Sequence, residues 1–181
     1  MSTSPTQLAS FVLTPADAAF IAAFERATVP KDQWTHRAHI RMAWIVLAQA
    51  GFPMGPPANA AASTTTAAPP ATTTPVAPAP PPAALVPVLD RVRAGLRRLV
   101  QTFGVPDAID RGYHETMTVA WLRLVAVTLR AQPAQPDSEA FCDAQPHLLC
   151  RTTLRLYYSP GRILTAEAKA RFVEPDLAPL P

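Results

Sequence analysis

Three of the four histidines in this 181-residue chain fall in two short clusters, Trp34-Thr35-His36-Arg37-Ala38-His39 and Tyr113-His114-Glu115-Thr116, each opening an apolar helical pattern. Imidazole is the commonest metal ligand and titrates near neutral pH, so three imidazoles at the heads of apolar helices mark where chemistry is to be sought. His36 and His39 are three residues apart. On one helix that spacing brings their Cβ atoms to about 5–6 Å, close enough to share a divalent ion. His114, from a second helix, is the expected third ligand. Three neutral nitrogens and an open position suit Zn, which lowers the pKa of bound water toward about 7. Glu115 is then the expected catalytic acid or base. With Glu115 among the ligands instead, the mixed nitrogen and carboxylate set is closer to Fe or Mn. Trp34, Tyr113 and Trp121 are expected to wall the pocket, with Thr116 and Thr118 orienting the ligands.

The specific metal signatures are missing. His36-Arg37-Ala38-His39 lacks the Glu and the four-residue spacing of H-E-x-x-H. The E-x-x-H pairs of di-iron bundles would need acids where Gln33 and Arg111 stand. Pro146-His147-Leu148-Leu149-Cys150 puts His in place of the first Cys of the deaminase pattern. No Walker loop, G-x-G-x-x-G or G-x-S-x-G occurs, so nucleotide binding and α/β-hydrolase catalysis have no support. The histidines also fit two readings without metal. They can line a polar pocket for a small-molecule ligand, or serve as hydrogen-bonding staples between helices.

Positioning these residues requires helices. Thr14-Pro15-Ala16-Asp17 supplies a cap, a first-position proline and a first-turn acid, which predicts helix one over about 15–28. A second helix is expected from Thr35 to Gly51, with His36, His39, Ile40, Ala43 and Leu47 on one stripe. Val88, Leu89, Val92, Leu96, Leu99, Val100 and Phe103 define a third, closed by Gly104. On a fourth, after Gly112, His114, Thr118, Trp121, Val125 and Leu129 share a face. Gln145-Pro146 opens an expected fifth through Leu149, Leu154 and Tyr157, broken at Ser159-Pro160-Gly161, and Thr165-Ala166-Glu167 starts a last short one. Residues 173–181 hold three prolines and are expected as an extended tail over the bundle. Without a period-two pattern anywhere, the fold class is all-α: a single helical bundle of about five helices.

Residues 52–84 break this pattern. Ala, Thr and Pro make up nearly all of the stretch, and ten of the chain's 22 prolines lie between Pro53 and Pro82. Such a composition offers no periodic apolar face to offset chain entropy, so a disordered insertion within one domain spanning 1–181 is expected. Its prolines could serve as a PPII ligand for a protein partner, but tolerated low-complexity drift is the better account of the stretch. Charge excludes less. The net of +3 comes from scattered arginines rather than an aromatic-interleaved stripe, which argues against nucleic acid. Arg91, Arg93, Arg97 and Arg98 cluster on the third helix in a spacing that fits its solvated face. Two cysteines, Cys142 and Cys150, are no disulfide framework, and no run reaches the roughly 18 apolar residues of a membrane span. With no signal-peptide pattern at the start, a cytoplasmic protein is expected.

The segments Trp34-Thr35-His36-Arg37-Ala38-His39-Ile40, Gly112-Tyr113-His114-Glu115-Thr116 and Glu174-Pro175-Asp176-Leu177-Ala178-Pro179-Leu180-Pro181 together resemble a family of small, uncharacterised soluble proteins. The resemblance covers both flanks and skips residues 52–84. It implies no activity, but it groups Glu174 and Asp176 with the histidine clusters as residues that could close the same pocket.

Overall fold

The computed structural model describes residues 12–55 and 85–181, and the expectations placed on residues 1–11 and 56–84, most of the Ala/Thr/Pro-rich insertion and its partner role among them, lie outside the described residues. Among the described residues the fold is all-α, with eight α-helices, five of them seven residues or longer, and no strand. No helix among them is long and apolar enough to cross a membrane.

The long helices start where side chains can take up the first free amides. In α1 (Pro15–Glu25), Thr14 accepts from the Asp17 amide at 3.2 Å, and the helix stops at Ala27, a non-glycine residue held at φ 53°. Thr35 caps α2 (His36–Gln49) by accepting from the Ala38 amide. α3 (Val86–Thr102) ends before Gly104, whose φ of 59° suits glycine. α4 (Glu115–Ala131) is capped by a histidine, His114. Four short helices complete the chain: α5 (Ser138–Ala144), α6 (Pro146–Leu149), α7 (Pro160–Ile163) and α8 (Ala166–Ala170).

Two departures from expectation have local causes. The single helix expected from Pro146 to Tyr157 is two pieces, α6 and a 3-10 turn at Thr153–Leu156. Thr153 Oγ1 donates to the His147 carbonyl at 2.6 Å, taking the acceptor that the next helical amide would have used. Arg151 lies in the turn between the two pieces. The other departure is α5, which the hydrophobic pattern does not announce because it is only seven residues long. Its cap, Asp137, accepts from the Ala140 amide at 2.8 Å.

α2 is the centre of the molecule. Its run from Met42 to Ala48 is buried on every side, and it packs against α1, α3, α4, α5 and α6. One cluster of buried apolar residues runs from Ile21 to Leu180, drawing on both sides of the Pro-rich stretch. A buried acid helps to fasten it. Asp17, 1% exposed, accepts from the Ser138 amide and hydroxyl and from Arg41, tying α1 to α5 and α2. Two glycines permit close approach. A Cβ on Gly95 would lie 2.2 Å from the Phe24 ring, and one on Gly55 would lie 2.0 Å from the Gln132 carbonyl oxygen. Gly55 also donates to the Leu129 carbonyl at 2.7 Å, so the chain leaves α2 pinned to the end of α4.

Candidate functional site

A cavity of about 520 Å³ opens between α2, α3, the 105–113 loop, the head of α4 and Arg151. That lies within the range of small-molecule sites, about 300–1,000 Å³. Its walls are mainly apolar, with Leu96 and Val100 from α3, Phe103 just past its end, and Met117 and Trp121 from α4. Among the residues expected at a site, Trp34, His36, His39, Tyr113, His114, Thr118 and Trp121 all line it. Glu115 and Thr116 do not.

The two α2 histidines are fixed by one nitrogen each. His36 Nε2–H donates to the Leu148 carbonyl at 2.9 Å, and His39 Nδ1–H donates to the Thr35 carbonyl at 2.7 Å. These bonds assign the tautomers, because the nitrogen that donates must carry the proton. His36 Nδ1 and His39 Nε2 are left as bare acceptors with no hydrogen-bond partner among the described residues. Both rings rest on indoles. His39 lies 4.5 Å from the Trp34 ring centre and His36 meets Trp121 edge-on at 4.6 Å. Trp34 is in turn stacked on Phe24 at 5.5 Å, and Phe24 occupies the space that Gly95 vacates on α3. The packing thus sets the position of His39 through three residues from three parts of the chain.

Electrostatics keep these imidazoles neutral. Burial is the main cause, and it lowers His36, His39 and His114, bringing His39 to about 4. The positive charge of Arg151 pushes His36 and His39 further in the same direction.

His114 touches the same cavity, but both of its nitrogens are in use. Nδ1 accepts from the Met117 amide at 3.3 Å, making His114 the cap of α4, and Nε2–H donates to the Ile163 carbonyl at 3.0 Å. Glu115 is 6% exposed and turned to the other side, where Arg93 bonds Oε1 and the Tyr113 hydroxyl donates to Oε2 at 2.6 Å. Tyr113 is pushed up to about 12, by burial first and then by the Glu115 charge. Thr116 is fully buried and holds the tail, donating to the Arg171 carbonyl and accepting from the Val173 amide. Thr118 donates to the His114 carbonyl within α4.

The structure therefore brings His36 and His39 to the pocket with nitrogens to offer, and His114 with none. Among the described residues no group of three or more His, Cys, Asp or Glu is placed to hold a metal ion. Glu174 and Asp176 are also elsewhere. Asp176 accepts from the Ser159 amide at 2.8 Å and from its hydroxyl, while the Glu174 carbonyl accepts from Arg162. The α3 arginines lie on a solvated face as expected, Arg97 and Arg98 exposed and Arg91 and Arg93 partly so, and three of them also reach neighbours. Arg91 pairs with Glu25, Arg93 with Glu115, and Arg97 lies 4.7 Å over the Tyr113 ring. Sequence reasoning missed Arg151, which follows Leu148-Leu149-Cys150 with no motif to single it out. Compared with protein-family models, with curated proteins and with solved structures, the chain shows no match.

Proposed function

We propose that the chain is a small-molecule-binding protein whose α2–α3–α4 cavity takes a ligand with a mainly apolar body, and that it does so without catalysis. The observation that carries this reading is the cavity itself: about 520 Å³, walled by two indoles and by α3 side chains, with two neutral imidazoles each keeping one nitrogen uncommitted. The residue best suited to acid–base work, Glu115, is occupied by Arg93 and Tyr113 outside the cavity. A divalent ion at this place would have two imidazole nitrogens to draw on, and structural or catalytic sites for such ions ordinarily use three or four protein ligands.

The test uses a neutral, polarity-sensitive naphthalene dye, 6-propionyl-2-(dimethylamino)naphthalene. Saturable binding with a blue-shifted emission is expected for the natural chain. Val100→Trp, which adds an indole from the α3 wall, is expected to weaken binding at least tenfold while circular dichroism stays helical. Equal binding by the two proteins would overturn the proposal, as would failure of the natural chain to bind the dye.

A further inference from the structure

The cavity has a polar corner as well as apolar walls. Arg151, an exposed residue in the turn just before Thr153–Leu156, lines its mouth on the side of His36 and His39. Among the described residues, no carboxylate lies within ion-pair distance of Arg151. The acid that shares the cavity, Asp110, is exposed and answered by its neighbour Arg111 at 3.3 Å. A guanidinium is planar and permanently charged, with a donor fork that matches a carboxylate. The imidazoles make the opposite demand. Each offers a bare lone pair, so what meets His36 Nδ1 or His39 Nε2 must be a donor, an O–H or N–H.

From this corner we infer that the ligand is an apolar carboxylate carrying a hydroxyl or similar donor close to its acid group, with the acid held by Arg151 and the donor by His36 or His39. The apolar body lies along Trp34, Trp121 and the α3 wall. Each part of such a head group meets a complementary part of the protein. A neutral ligand would leave Arg151 to water and gain nothing from its charge, and an acid without a donor would gain nothing from the imidazole lone pairs. The inference rests on the cavity being a binding site, and deepens that reading by naming the ligand's head group.

The experiment is calorimetric titration with three matched probes: 3-(2-naphthyl)lactate, 3-(2-naphthyl)propanoate, which lacks the hydroxyl, and 3-(2-naphthyl)lactamide, which lacks the charge. The lactate is expected to bind tightest. Removing the charge is expected to cost about tenfold and removing the hydroxyl a few-fold, in line with one charged and one neutral hydrogen bond. In Arg151→Gln the lactate and the lactamide are expected to become equal, and in His36→Ala/His39→Ala the lactate and the propanoate. Equal binding of all three probes by the natural chain overturns the head-group inference. So does an acid preference that survives Arg151→Gln, or a hydroxyl preference that survives the double histidine variant. Binding of the neutral dye with no binding of any of the three acids and amides overturns the inference and leaves the cavity reading standing. Failure of dye and probes alike overturns both.

Discussion

The heads of α2 and α4 look alike in sequence and work differently in the structure. Each has a histidine at or next to the first turn, a bulky aromatic just before it and a threonine within three residues. At α2 the order is Trp-Thr-His, so Thr35 takes the capping role and both histidines are free to serve the cavity. At α4 the order is Tyr-His-Glu-Thr. No threonine stands before the helix, so His114 becomes the cap, Glu115 turns to Arg93 and Tyr113, and Thr116 is spent on the tail. A shift of the threonine from before the histidine to after it separates a cluster with hydrogen-bonding capacity to spare from one in which every polar group is answered within the chain. Solvent exposure divides them too, with His114, Glu115 and Thr116 buried and His36 and His39 partly exposed, although the surroundings of His39 are packed closely enough to lower its pKa.

If that division is right, substitutions at α4 cost stability and those at α2 cost binding. The largest loss is expected for Glu115→Ala, which strands Arg93 and the Tyr113 hydroxyl: about 3 kcal/mol by urea denaturation, the scale of breaking a buried ion pair. Next comes Thr116→Val, which keeps the shape but orphans the Arg171 carbonyl and the Val173 amide. About 2 kcal/mol is expected, with faster hydrogen exchange confined to residues 171–181. For His114→Ala a loss of about 1 kcal/mol from the cap alone is expected, and His114→Asn should recover that part because asparagine caps well. Small losses in all three variants would dissolve the contrast. At α2, His39→Gln is expected to change stability at neutral pH by less than about 1 kcal/mol while altering probe affinity.

The comparison is sharpened further through pH. His39 has its folded pKa lowered to about 4 from the ordinary 6.5. Between those values the unfolded chain binds a proton that the folded chain refuses, so stability is complete above pH 6.5, falls as pH drops through the window, and levels off below about 4. His36 and His114 are displaced in the same direction and add to the slope. Urea midpoints at pH 7, 5.5 and 4.5 are expected to fall less steeply in His39→Gln than in the natural chain. Parallel slopes would remove His39 from this account.

Much of the fold was legible because it rests on local rules. Thr14-Pro15, Gly104 and Thr165 each announce a helix end by their own chemistry, and α1, α2, α3, α4 and α8 lie close to where those signals put them. The stretch between α4 and the tail was less legible, since helices of four to seven residues carry too few apolar positions to show a period. Of the proposed site, spacing singled out several residues that line the cavity and could not apportion their roles. Periodicity sets His36 and His39 on the apolar stripe of α2 and His114 at the head of that of α4, but that they share one cavity is a matter of packing, and whether a ring nitrogen is free depends on the carbonyls of Leu148 and Ile163, more than 40 residues away along the chain. Arg151 was invisible for the same reason, because only tertiary packing brings it beside α2.

The seat of Gly55 against α4 has a consequence for how the chain could be divided. Among the described residues, 12–55 contribute α1 and the buried core of α2, 85–181 contribute the helices packed around them, and Gly55 docks across that divide. The molecule is in effect a heterodimer written on one strand. Two separately expressed pieces, 1–55 and 85–181, each lack half of one core, and mixing them should restore helicity that neither has alone. Such a split pair would report on its own assembly, and because α2 carries His36 and His39 while the other piece carries Arg151, a ligand that bridges them would tighten the association.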